Sequence, residues 1–294
     1  MTDVTASPFV LFVDRVRRSS LLRRLFRHRL FVTGLGLFTV VVLMALLADL
    51  LAPHLPNQNN FRYRLGEPNA DHLLGTDNFC RDVLSRVIHG SRVSLRIAFM
   101  VVVMNALFGT LIGASAGYFR KLDNPIMRVM DGLMAFPAIL LAIALAATLG
   151  PSEINAVLAL TTAYTPRTAR IVRASVLVVR EMDYVQAALA SGAGHLRILF
   201  RHVLVNSMAP LIVQLTFIFA LAVLAEAVLS FIGVGPPPPT PTWGNIIAEG
   251  RNYIREAPWI CLYPGIAIAF TVLGLNLLGD GLRDVLDPRM KVER

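Results

Sequence analysis

Six stretches of this 294-residue chain are apolar over roughly the length a helix needs to cross a bilayer: Leu30–Ala52, Ser94–Tyr118, Val129–Leu149, Ile154–Val176, Val203–Phe231 and Trp259–Gly279. A spanning helix needs about 20 mainly apolar residues, because its backbone groups have no water to bond inside the hydrocarbon. The chain as a whole is 55% apolar and only 16% charged, against about 45–50% and about 25% for a soluble domain. The fourth stretch is the least apolar. Its apolar part is Ile154–Ala163, before Pro166 and the arginines at 167, 170 and 173. The expected fold is all-α and integral to a membrane.

Charge sets the orientation. Of 28 Lys and Arg, 20 fall on the N-terminal tail, the 119–128 and 167–202 loops and the C-terminal tail. The other 8 fall on the segments between. This positive-inside bias puts both termini in the cytosol. It also accounts for the pI of 10.3 and the net charge of +9 without any nucleic-acid partner. The N-terminal basic region runs into a full-length apolar stretch with no small-residue cleavage site, so it reads as an uncleaved anchor.

The division that follows has four parts. Residues 1–29 are an arginine-rich amphipathic segment on the inner face, where anionic headgroups attract it. Residues 30–93 hold the first span and a long outer loop. Residues 94–283 form a five-helix core, and 284–294 a cytosolic tail. In the outer loop, Asp77–Arg81 and Asp82–Arg86 have the i,i+4 spacing of ion pairs on a short helix, capped by Thr76 or Asp77. Asn124-Pro125 marks a polar inner turn across Tyr118–Arg128, and Pro137 is placed to kink the third span. After the stiff run Pro236–Pro241, the sequence suits a short helix over Asn245–Ala257, with Trp243, Tyr253 and Trp259 at headgroup depth.

The chemistry-bearing residues are few. Phosphate-loop nucleotide binding needs G-x-x-x-x-G-K-[ST]. The two lysines, Lys121 and Lys291, follow Arg120 and Met290, so the chain is not an ATPase of that class. Neither an H-E-x-x-H zinc motif nor a G-x-S-x-G elbow is present. Cys80 and Cys261 read as plain small residues, and the six histidines have no ligand-like spacing. No cofactor or metal is expected. Among polar residues within spans, Asn105, Asp131, Glu226 and Asn276 stand out because lipid burial of such groups is costly. Glu226 and Asn276 are candidates for the path or a subunit interface, with a satisfied structural carboxylate as the competing reading of Glu226. Asp131 pairs most simply with Arg128.

The segment Asp183–Asn206, DYVQAALASGAGHLRILFRHVLVN, is different in kind. Asp183 and Gln186 have the spacing of a capping box. On a helix, Tyr184, Ala188 and Gly192 share a face, with Ala187 and Ser191 beside it. A face of small residues permits close backbone approach, which inside a membrane means helix packing. Here Arg180, Arg197 and Arg201 flank it in the cytosol, so a protein partner is the expected occupant. A loop packing only on its own bundle is the alternative.

Four stretches, in order, carry a resemblance over nearly the whole chain. They are His72–Asp77 with Arg81–Arg86; Tyr184–Gly192 with Ile198, His202 and Asn206; Glu226 with LSFIGVG and Pro237–Gly244; and Asn276–Asp284 with Asp287-Pro288. Together they resemble the C-type permeases of the dipeptide/oligopeptide/nickel group of bacterial ABC importers. The resemblance implies a type I importer permease fold of six transmembrane helices in the inner membrane. It further implies a second homologous permease, two ABC ATPases that bind the ATP, and a periplasmic substrate-binding protein as partners.

On this reading Tyr184, Gln186, Ala187, Ala188, Gly192, Ile198 and His202, within a coupling loop over 183–202, meet an ATPase. Gly75, Asp77, Arg81, Asp82 and Trp243 belong to the periplasmic segments. Three departures stand against the family pattern: Gln186 for the usual Glu, Val205 for the Pro of "LPN", and Cys80 for the Gly of "GRD". If that Gly needs a positive φ, the local turn at Cys80 must differ. The implied function is a permease that forms half of a translocation path. A self-sufficient channel or secondary transporter is the alternative, and would show transport without ATP.

Overall fold

The structure, a computed structural model, describes residues 20–59 and 63–286. Most of the amphipathic segment at 1–29, and the Asp287-Pro288 part of the tail, lie outside the described residues. The regular elements of the described residues are all helices, with a single β-bridge between Thr76 and Asp82. Its main helices are α1 (Ser20–Leu25), α2 (Arg29–Leu46), α3 (Val83–Tyr118), α4 (Arg120–Met134), α5 (Ala138–Leu149) and α6 (Glu153–Arg180). They are followed by α7 (Asp183–Ala190), α8 (Met208–Ile232), α9 (Trp243–Gly250) and α10 (Trp259–Leu286). Shorter helical turns lie at Ala48–Leu51, His195–Ile198 and Leu204–Asn206, and Leu199–Val203 forms a π-turn.

Among the described residues, α2, α3, α8 and α10 are long and apolar enough to cross a membrane. The expected third span is broken. Residues 135–137 separate α4 from α5 with an 87° bend, so the pair can count as a fifth span only in bent form. Pro137 is the cause expected, but its effect exceeds a kink: it sits as the extended N-cap of α5, with ψ of 127°. Twelve residues of α5 rise only about 18 Å, short of the roughly 30 Å hydrocarbon core. The polar turn expected at Tyr118–Arg128 is also absent. Helix α4 begins at Arg120 and runs through Pro125, held by side-chain bonds from Arg173 to Asp123 and Arg170 to Asp131. Asp131 therefore pairs across to α6 and not with Arg128.

Helix α6 lacks the apolar composition of a span because Arg167, Arg170 and Arg173 interrupt it, yet it is the main partner of α3. The α3–α6 seam depends on missing side chains. A Cβ on Gly113 would lie 2.4 Å from the Ala169 carbonyl oxygen, and one on Gly109 2.5 Å from Thr168. Helices α2 and α10 meet in the same way: a Cβ on Gly34 would lie 2.4 Å from the Leu278 nitrogen. Small residues at such seams bring backbones into van der Waals contact where lipid supplies no hydrophobic drive.

Cross-links define two ends of the bundle. At one, Arg96 bonds Glu153 (2.6 Å) and Arg92 bonds Asp49 (3.0 Å). At the other, Arg180 Nη1 donates to the Gly117 carbonyl at 2.8 Å, and His28 meets Asp284 at 3.3 Å. The core is likewise divided. A large cluster runs through α3, α6, α8, α9 and α10. A smaller one gathers Ala114, Val172, Val176 and Val179 around Val185, Ile198, Leu199 and Val203.

Candidate functional site

The smaller cluster fixes the 183–206 segment to the bundle. Val185, Ile198 and Val203 are fully buried and pack against the ends of α3 and α6. Two polar ties reinforce them. Tyr118 Oη lies 3.1 Å from His195 Nδ1, and Gln186 Nε2 donates to the Arg180 carbonyl at 3.0 Å. A carboxylate at position 186 would have no proton to donate there. Met182, not Asp183, is the N-cap of α7, with no side-chain cap bond, so the expected capping box does not form. Asp183 instead occupies the first helical position, where a negative charge favours the helix dipole.

What remains faces away from the protein. Tyr184, Gln186, Ala187 and Gly192 are exposed, Ala188 and His202 half-buried. The Tyr184 and His202 rings lie 6.5 Å apart. The expectation of one continuous helical face is corrected at Gly192. Helix α7 ends at Ala190, and Gly192 lies beyond it in a left-handed turn with φ of 78° and open space around its α-carbon. Ile198 is corrected too: its side chain is an anchor with no surface to offer a partner. Between this segment and the start of α4 opens a cavity of about 630 Å³, lined by Arg120, Lys121, Arg180 and Gln186 among others.

At the opposite end, Asp77 organises the loop. Its Oδ1 accepts from the backbone N–H of Phe79 (2.8 Å) and Arg81 (2.9 Å), and its Oδ2 from Arg81 Nε and Arg86 Nη1, each at 2.7 Å. The Asp77–Arg81 pair is thus present, but on a tight turn in place of the expected short helix. That turn holds Cys80 at φ of 61°. The chain keeps a positive φ at this position without glycine, a conformation that costs a side-chain-bearing residue about 1 kcal/mol or more. Asp82 does not pair with Arg86. It caps α3, accepting from Ser85 N–H at 2.7 Å, and meets His72 at 3.0 Å.

Arg86 turns the other way, to Asp77 and to Glu249 on α9, and Arg81 reaches Glu249 at 2.5 Å. Glu249 went unremarked in the sequence, although a lone acid in the apolar helix WGNIIAEG was the available signal.

Trp243 is not at a headgroup surface. It is fully buried, and its indole N–H donates to the Val87 carbonyl at 3.1 Å. Trp259 donates to the Thr76 carbonyl at 3.2 Å. Gly75, with φ of 75°, lets Trp259 approach: a Cβ there would meet its Nε1 at 2.7 Å. The expected helix over 245–257 is α9 plus a 3₁₀ turn at Arg251–Tyr253.

Glu226 lies within α8, fully buried inside the chain. Its Oε1 accepts from Ser230 Oγ at 2.6 Å, one turn on in the same helix, and its Oε2 is buried with no hydrogen-bond partner among the described residues. The one side-chain bond shown for this carboxyl lies within α8, and the group presents no exposed surface on this chain. Asn276 is half-buried on α10, and the fold does not bring it together with Glu226 in any hydrogen bond. Asn105 is buried on α3, bonding the Val101 carbonyl at 3.0 Å.

Comparison with known proteins places these features in context. Residues 106–292 match the family described as "Binding-protein-dependent transport system inner membrane component". Residues 18–70 match the "N-terminal TM domain of oligopeptide transport permease C". A putative peptide transport system permease protein of Brucella abortus is 54% identical over 293 residues, covering 100% of this chain and 96% of that protein. The dipeptide transport system permease protein DppC of Alkalihalophilus pseudofirmus is 44% identical, over 92% of this chain and 89% of its own length. The di/tripeptide permease DppC of Pseudomonas aeruginosa is 45% identical over 88% of each chain. Among solved structures, a chain of the MetNI methionine ABC transporter in an inward-facing conformation superposes with a TM-score of 0.57 at 18% identity. It covers 68% of this chain and 96% of that one, a likeness of fold.

Proposed function

Because the chain belongs to the binding-protein-dependent transport system inner membrane components, as a C-type permease of the peptide ABC importer group, we propose that it forms half of a path for peptides and couples that path to partner ATPases. It is a multi-pass protein of the inner membrane and a transport subunit, not an ATPase. A second, homologous permease completes the path, two ATPases bind the ATP beneath it, and a periplasmic binding protein delivers the peptide. The chain crosses the membrane six times, with α4–α5 as a bent third crossing and α6 as the fourth, and both termini lie in the cytosol. The 70–92 and 236–258 segments then face the periplasm.

One observation carries the coupling role: the 183–206 segment is anchored from within and bare without. Val185, Ile198 and Val203 root it in the ends of α3 and α6. The exposed Tyr184, Gln186, Ala187 and Gly192 then make a shallow surface that an ATPase groove can accept closely. A push on that surface is transmitted to α3 and α6 because packed side chains shift as a unit. The test is reconstitution with the cognate permease, ATPases and binding protein in liposomes. Peptide uptake should require ATP and the binding protein. Uptake by this chain without ATP would identify a self-sufficient channel and overturn the reading.

A further inference from the structure

Histidines without ligand-like spacing in the sequence are brought together by the fold. The rings of His54, on the strap after α2, and His72, on the Asp77 loop, have centroids 4.8 Å apart. His72 Nδ1 lies 3.0 Å from Asp82 Oδ1, with the side chains 2% and 1% exposed. One donor atom from each of His54, His72 and Asp82 falls within 4.8 Å of the other two. His54 Nδ1 is buried with no hydrogen-bond partner among the described residues, an arrangement that costs a polar atom about 1–3 kcal/mol if nothing fills the gap.

We propose that His54, His72 and Asp82 bind a divalent transition-metal ion of the zinc class, with the fourth position open to water. Two imidazoles and one carboxylate form the borderline donor set that suits zinc. Hard cations such as magnesium and calcium prefer oxygen donors throughout. Zinc bonds of about 2.0–2.2 Å place tetrahedral donor atoms roughly 3.3 Å apart. Closing the group therefore takes a shift of up to about 1.5 Å, and the half-buried His54 on its strap can supply it.

The outer shell is already built. Asp82 Oδ2 accepts from both the backbone N–H and the hydroxyl of Ser85, each at 2.7 Å. Ser85 Oγ in turn accepts from the His54 backbone N–H at 3.1 Å. Bonds of this kind orient metal ligands and are worth about ten- to a hundredfold in affinity. The three donors come from three separate stretches, the strap after α2, the Asp77 loop and the cap of α3, so an ion here staples them at one point. The inference does not depend on the transport reading.

The experiment uses the full-length chain, purified in detergent, stripped with a chelator and titrated with Co²⁺ as a spectroscopic probe. The expected result is one ion per chain, with the visible bands of a four-coordinate site, displaced by Zn²⁺. His54→Gln should weaken uptake at least about tenfold, whereas His195→Gln, at the other end of the bundle, should not. Zn²⁺ should raise the thermal midpoint of the wild type and leave that of His54→Gln unchanged, which separates lost binding from lost folding. A wild-type chain that takes up no Co²⁺, or a His54→Gln chain that binds it as tightly, overturns the proposal.

Discussion

Arg86 Nη1 donates to Asp77 Oδ2 at 2.7 Å, and both side chains are only 1% exposed. The same guanidinium also bonds Glu249, half the chain away on α9. Arg86→Met should therefore leave two carboxylates, one of them fully buried, to share the single guanidinium of Arg81. Removing one partner from a buried pair costs about 3–5 kcal/mol, read as a lowered thermal midpoint of the solubilised chain. Arg96→Met, which breaks a pair 49% and 26% exposed with Glu153, should cost about 0–1 kcal/mol. Equal losses would show that the Arg86 cluster is not the buried tie described here.

Gly113 faces the Ala169 carbonyl at a distance no Cβ can share. Gly113→Val should force α3 and α6 apart and cost at least about 1–3 kcal/mol as overpacking. Gly132 has nothing within 4 Å of a built Cβ. Gly132→Ala should leave stability unchanged or raise it by up to about 1 kcal/mol, from helix propensity alone. Thermal unfolding of the two variants side by side decides the matter, and a harmless Gly113→Val would refute the close seam.

The coupling surface is best tested at Ala187, which is exposed on α7. Ala187→Trp should fold and insert as the parent does, since the Ala187 side chain is exposed. It should lose ATPase copurification and ATP hydrolysis stimulated by the binding protein, about tenfold or more if docking is weakened by about 1.4 kcal/mol. Gly192→Trp is a poorer probe, because φ of 78° strains any side chain there whatever the partner does. Leu196, 64% exposed beyond the turn, already carries bulk, and Leu196→Trp should be milder. Full ATPase binding by Ala187→Trp would reject the docking assignment.

Orientation is open to fusion analysis. Alkaline phosphatase joined after Asn59 should be active, and joined after Arg294 inactive, if 20 of the 28 basic residues mark the cytosolic side. An active C-terminal fusion would mean an odd number of crossings.

The apolar runs were readable along the chain because burying a helix in lipid is a property of consecutive residues. Composition and length alone indicate α2, α3, α8 and α10. Charge asymmetry, the absence of a nucleotide loop and the family's motifs are likewise linear features, and the permease assignment came from them. The 87° break at Pro137 was legible as a proline but not as an angle, because the angle depends on what α4 and α5 pack against. The partners of the charged residues were not legible at all. Spacing pairs Asp82 with Arg86 and Arg128 with Asp131, but the folded chain gives Asp82 to His72, Arg86 to Asp77 and Glu249, and Asp131 to Arg170. A buried charge takes the partner that best replaces its lost water, wherever that partner lies in sequence; for the exposed Asp131 and Arg170, the packing of α4 on α6 decides which arginine is in reach. The same holds for Ile198, which the family resemblance set against an ATPase and the fold buries, and for His54 and His72, which no spacing connects. Local sequence decides which elements form; which side chains meet is decided by how those elements pack, and that was set by the tertiary structure.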